Sequence, residues 1–97
     1  MDKKIYCVYI LTNFTHTTLY TGVTGDLPNR ILQHKSGTGG KFTHEYHVNK
    51  LVYYETHSDP ESAILREKQI KAGSRQKKLD LINEFNPEWR DLSDDFY

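Results

Sequence analysis

The sequence predicts one domain of the α/β class, α+β in type. Three observations lead there. Residues 5–12, 19–24 and 51–55 are β-rich runs; helix-start signals stand at Asp26-Leu27-Pro28 and Ser58-Asp59-Pro60-Glu61; and only six residues, all but Phe14 polar, join the first two runs. A chain of 97 residues is long enough for one modest core.

The first run is apolar on both alternating faces, with Ile5, Cys7, Tyr9 and Leu11 on one and Tyr6, Val8 and Ile10 on the other. Such a strand is covered on both sides and therefore central. The short connection 13–18 makes an antiparallel hairpin with the second run. Asp26 is placed to cap a helix, Pro28 suits its first turn, and Leu27 and Ile31 lie one turn apart on a helix running to about Lys35. Residues 36–40 are Gly-rich without the pattern of a nucleotide-binding loop, and read as a flexible connection. After the third run, the capping signal at Ser58-Asp59 opens a helix to about Lys71, with Gly73 as its stop. Ser74 opens another helix with Leu79, Ile82 and Phe85 as its apolar stripe, closed by Asn86-Pro87. The domain is read as 4–85. Residues 86–97 form an acidic tail that packs back in part through Trp89 and Leu92, with mobility expected from Asp94 onward.

Composition narrows the function classes. Charged residues are 27% and hydrophobic ones 36%, ordinary for a soluble globular protein. No apolar run is long enough to span a bilayer, and Met1-Asp2-Lys3-Lys4 leads straight into a strand, so neither a membrane anchor nor a signal peptide is expected. The lone Cys7 excludes an internal disulfide and fits a reducing cytoplasm. Net charge is zero but polarised: residues 62–79 hold Arg66, Lys68, Lys71, Arg75, Lys77 and Lys78 against Glu67 alone, while residues 80–97 hold six acids against Arg90. The basic stretch reads either as a phosphate-attracting field or as a solvated helix face.

Two phenols, a guanidinium, an imidazole and a carboxylate are the groups that phosphodiester hydrolysis needs. Tyr9 and Tyr20 sit in strands, Arg30 follows Gly22 by eight residues, and His34 stands one helical turn further on. Arg30 at the sheet edge would hold a phosphate; the plain alternative is a surface Arg-His pair. Glu67 shares a helical stripe with Ala63 and Ile70, where a carboxylate needs a salt bridge, hydrogen bonds or a metal. Tyr9 and Tyr20 also fit as core aromatics with hydroxyls at the rim. Gly22 within a strand marks a bulge or a close approach. The histidines at 16, 44, 47 and 57 lack zinc-site spacing.

In order, Cys7-Val8-Tyr9, Tyr20-Thr21-Gly22, the stretch from Gly22 through Arg30 to His34, and Arg66-Glu67-Lys68-Gln69-Ile70-Lys71 resemble the GIY-YIG endonuclease superfamily. The likeness is to its small stand-alone branch, similar to the N-terminal nuclease domain found in excinuclease ABC. It covers about Lys4 to Phe85, with Cys7 standing where the first signature has glycine. The resemblance implies a three-stranded antiparallel sheet flanked by helices and one divalent ion, Mg²⁺ or Mn²⁺, on Glu67. It also implies that Tyr20 and His34 orient or deprotonate the attacking water, that Tyr9 assists, and that Arg30 stabilises the phosphate. Asn83 and Asn86 both compete for the asparagine that often closes the family's domain.

The resulting expectation is a metal-dependent DNA endonuclease, in repair or recombination, on branched or damaged DNA and with a protein partner for targeting. The rival is a non-catalytic nucleic-acid-binding module using Arg66, Lys68, Lys71, Arg75, Lys77 and Lys78. A third reading is a protein-interaction domain using Trp89 and the acidic tail.

Overall fold

The computed structural model describes residues 4–96; the chain start Met1-Asp2-Lys3, and Tyr97 at the tip of the tail, lie outside the described residues. Three antiparallel strands, β1 (Tyr6–Thr12), β2 (Leu19–Thr24) and β3 (Lys50–His57), lie in the order β2-β1-β3. Helices α1 (Leu27–Lys35) and α2 (Lys41–Glu45) fall between β2 and β3, and α3 (Pro60–Ala72) and α4 (Arg75–Phe85) follow, before a 3-10 helix at Leu92–Phe96. The α+β class and the three-stranded sheet are those expected from the sequence.

β1 is central because both of its faces are apolar, and each face has its own core. Cys7, Tyr9 and Leu11 pack with Leu27 and Ile31 of α1, Val48, Leu51 and Leu92. Val8 and Ile10 pack with Val52, Tyr53, Ala63 and Ile70 of α3 and Ile82 of α4. A register shift between Ile10 and Leu11 pairs these with Tyr53 and Leu51, leaving Val52 as the extra residue of a bulge. The bulge explains why consecutive Val52 and Tyr53 both enter the α3–α4 core, against the alternation of a regular strand.

Local chemistry fixes the ends. Asp26 accepts from the Asn29 amide at the start of α1, Asp59 from Ser62 at α3, and Ser74 from Lys77 at α4. The β1–β2 turn is organised by Asn13, whose Oδ1 accepts from the amides of Thr17 and Thr18. Helix α2 has no counterpart in the sequence reading, since five residues are too few to show a period. The tail is more ordered than expected: Asn86 is buried and donates to Val52 O and Arg90 O, and Phe96 packs beside Tyr54.

Candidate active site

Antiparallel pairing of β1 with β2 places Tyr9 opposite Gly22. The Tyr9 ring lies over that glycine so closely that a Cβ there would stand 2.5 Å from Tyr9 Cζ and Oη. The glycine in the middle of β2 is therefore a close-approach residue, and the bulge lies in the β1–β3 pairing instead. Because β1 is central and β2 is an edge, Tyr9 is 1% exposed while Tyr20 is half-buried at the rim.

Helix α1 brings the next two groups. Leu27 and Ile31 seat it on the core, and His34, one turn beyond Arg30, is buried with them. Tyr9 and His34 meet through Oη and Nε2 at 3.2 Å. His34 Nδ1 is 3.1 Å from Thr43 Oγ1 on α2, and Thr43 gives its own hydroxyl proton to Gly40 O. With the Thr43 proton on Gly40 O, the matching tautomer carries its hydrogen on Nδ1, so that Nε2 accepts and Tyr9 donates. Burial and the Arg30 charge lower the His34 pKa to about 4, so the ring is neutral at pH 7.

Arg30 is held from two sides. Nη1 donates to Gln33 Oε1 and Nη2 to Gly39 O, each at 2.9 Å. Hydrogen bonding with the Tyr9 hydroxyl raises its pKa further above the ordinary guanidinium value. Burial raises the Tyr9 phenol pKa, against the lowering effect of its hydrogen bond with Arg30. Gly39 permits the loop's path over His34, since a Cβ there would fall 2.5 Å from His34 Nδ1 and 2.8 Å from its Cα. The segment 36–40, read from sequence as a flexible connection, is tied to α1: Thr38 N donates to Gln33 O, and Ser36 and Thr38 hydroxyls add bonds to the same carbonyl.

Glu67 lies on α3, which packs on the other face of the sheet against β1 and β2. Its side chain is 14% exposed and has Lys71 Nζ at 3.7 Å, one turn away. Lys71 also lies over the Tyr20 ring, 5.9 Å from the centroid. Arg30, Tyr20 and Glu67 all act electrically on the Tyr9 hydroxyl. Of the five groups picked from sequence, Tyr9, Tyr20 and His34 are in ring contact, Arg30 acts on both phenols, and Glu67 acts on Tyr9 through its charge.

The basic stretch divides. Arg66 Nε donates to both oxygens of Glu55 at 3.1 Å, and Tyr53 and His57 also bond that carboxylate. Arg66 is thereby a structural partner of β3. Lys78 Nζ donates to Gly73 O at the end of α3, and Arg75 to His16 O. Lys68 and Lys77 are exposed. Asn83 accepts from Trp89 Nε1 and Asn86 secures the tail to β3, so both amides serve the C-terminal packing. Sequence reasoning missed Gln33, Gly39 and Thr43. Only the glycine content of 36–40 hinted at them, because contacts made by a loop folding back carry no fixed spacing.

These elements define a GIY-YIG nuclease domain. The pattern of the GIY-YIG catalytic domain matches residues 5–80, and the chain belongs to that family. It is similar to UPF0213 proteins of Staphylococcus saprophyticus, 45% identical over 87% of this chain and 99% of the relative, and of Staphylococcus epidermidis, 39% identical over the same shares. The solution NMR structure of a UPF0213 protein from Bacillus halodurans shares its fold, with a TM-score of 0.57 and 32% identity over 90% of this chain and 92% of that one. Among the described residues no helix is long and apolar enough to cross a membrane.

Proposed function

We propose that this protein is a metal-dependent endonuclease that hydrolyses DNA phosphodiester bonds. The observation that carries the reading is that Arg30, Tyr20 and Glu67 all act on the charge of one Tyr9 hydroxyl, which is itself bonded to His34. A solvated helix face or a set of core aromatics has no reason to gather these five groups.

Arg30 binds the non-bridging phosphate oxygens, and its orientation is preset by Gln33 and Gly39. Tyr20 is the less buried of the two phenols, so it orients the attacking water and, in its phenolate form, takes that water's proton. His34 is too enclosed and too weakly basic to do so; it holds the Tyr9 hydroxyl in one direction. Tyr9 then presents its lone pairs to Arg30 and assists by holding that guanidinium.

The residues fit a hard divalent ion. Among the described residues no three His, Cys, Asp or Glu side chains gather around a common point. Glu67 would therefore hold Mg²⁺ or Mn²⁺ as a lone carboxylate, with water and substrate oxygens completing the set as Mg²⁺ allows. Bound there, the ion supplies Lewis-acid stabilisation of the leaving oxygen. A repair or recombination setting, branched or damaged substrates, a targeting partner and a cytoplasmic location belong to the same proposal.

Supercoiled plasmid and branched DNA incubated with Mg²⁺ or Mn²⁺, against EDTA, test it. Wild type should nick in a metal-dependent manner, and Glu67→Gln and Arg30→Ala should each lose at least about a hundredfold in rate. Wild type that never cuts, with salt-sensitive DNA binding unchanged in Glu67→Gln, would instead identify a non-catalytic binding module.

A further inference from the structure

Beside the site stands an aromatic shelf that hydrolysis itself does not require. Phe42 on α2 stacks on Tyr20, with centroids 6.3 Å apart and planes at 28°; Tyr46, just past the helix, packs on Phe42 at 4.8 Å. Both added rings face solvent, Phe42 being 46% exposed and Tyr46 51%. Exposed apolar surface gathered in one row, rather than scattered singly, marks a place where something binds. Cations flank the row: Lys71 lies over the Tyr20 ring, and Arg30 acts on the Tyr20 hydroxyl.

Flat aromatic surface interleaved with positive charge is the chemistry that receives unpaired nucleobases while neutralising their phosphates. An intact duplex presents sugar and phosphate to a neighbouring surface and keeps its base faces stacked inside, so it offers these rings nothing to cover them. The shelf is also in fixed register with the site. Phe42 and Thr43 are adjacent on α2, and Thr43 holds His34 while Phe42 meets Tyr20. A base stacked on Phe42 would place a neighbouring phosphodiester at Tyr20 and Arg30.

Resting on the nuclease reading above, we infer that the substrate is DNA with an unpaired nucleotide next to the scissile phosphate, as in a single strand, a gap or a flap, and that Phe42 and Tyr46 are its base-stacking residues.

Two readouts test this separately. In EDTA, a single-stranded oligonucleotide containing 2-aminopurine reports stacking by fluorescence quenching, with no need for cleavage. Wild type and Phe42→Trp should quench it and bind alike. Phe42→Ala/Tyr46→Ala should lose the quenching and bind the single strand about tenfold or more weakly, with affinity for blunt duplex changed less than twofold. With Mg²⁺ or Mn²⁺, wild type should cut single-stranded or gapped DNA faster than blunt duplex, and the double variant should lose that preference. Equal losses for single strand and duplex would make the rings structural and overturn the inference. So would unchanged quenching, or a wild-type preference for blunt duplex. A wild type that quenches but never cuts would defeat the nuclease reading while leaving the shelf's role standing. Thermal melting of the double variant, expected to match wild type because both rings are exposed, excludes misfolding as the cause.

Discussion

Replacing Gly22 by alanine should disable the site with one methyl group. The new Cβ would stand 2.5 Å from Tyr9 Cζ and Oη, where ordinary contact begins near 3.4 Å. The ring must therefore retreat by about 1 Å, a displacement that in a reacting geometry can cost roughly a hundredfold in rate. It cannot retreat freely, because Tyr9 is 1% exposed and packs against His34 at 5.9 Å between centroids. The overpacking should cost about 1–3 kcal/mol, with about 1 kcal/mol more if the bond to His34 breaks. At roughly 4–8 °C per kcal/mol for a domain of this size, the melting temperature should fall measurably while the fold survives. Plasmid nicking and thermal melting of wild type, Gly22→Ala, Tyr9→Phe and the double variant provide the assay. If alanine acts by moving the Tyr9 hydroxyl, it should cost little further activity once that hydroxyl is gone. Rate losses that simply add, or Gly22→Ala with wild-type activity, would refute the reasoning.

Other expectations follow from the same contacts. His34 has a folded pKa of about 4, below the ordinary 6.5, so the unfolded chain binds its proton first and stability must fall as pH drops from about 6.5 to about 4. The loss, on the order of 3 kcal/mol, should be visible in urea unfolding and much reduced in His34→Gln. Thr43→Val leaves the buried Nδ1–H of His34 without its acceptor; a loss of about 1–3 kcal/mol in unfolding and a slower nicking rate are expected, with Thr43→Ser restoring both. Arg66→Ala should lower stability by about 1–2 kcal/mol through Glu55, without altering the salt dependence of DNA binding. Lys71→Ala should make that dependence shallower by about one unit, measured by binding titrations at several salt concentrations.

The parts of this molecule that were legible in its sequence are those governed by local rules. A strand apolar on both faces could only be central, and Asp26, Asp59 and Ser74 announced their helices because caps act over three residues. The five chemical groups were legible as residues in order along the chain, but not as a network. That Tyr9 lies over Gly22 depends on hairpin register, which Asn13 helps fix through bonds within the turn. Arg66 was counted with the phosphate-binding cations because a charge tally cannot see Glu55, eleven residues away on another element. The tail from Asp94 was expected to move because it is acidic and terminal. Phe96 instead packs beside Tyr54, and the Lys35–Asp91 ion pair at 2.8 Å ties α1 to the residues leading into it.

The same division explains how a degenerate first signature can coexist with an assembled site. Cys7 occupies the place of a glycine, yet it pairs with Thr24 at the far end of β2 and is buried in the α1 core. Burial raises its thiol pKa, so it behaves as a small apolar residue and brings no competing nucleophile. Position 7 packs into the α1 core, whereas the Tyr9 ring passes over Gly22 and the loop backbone at Gly39 passes over His34. The steric demand of the site therefore falls on two glycines, one inside the second signature and one outside both. A signature written as short strings weights every letter alike. The geometry weights them by what approaches each backbone atom, and by that measure Gly39 matters more to the arrangement around His34 than the glycine Cys7 replaces.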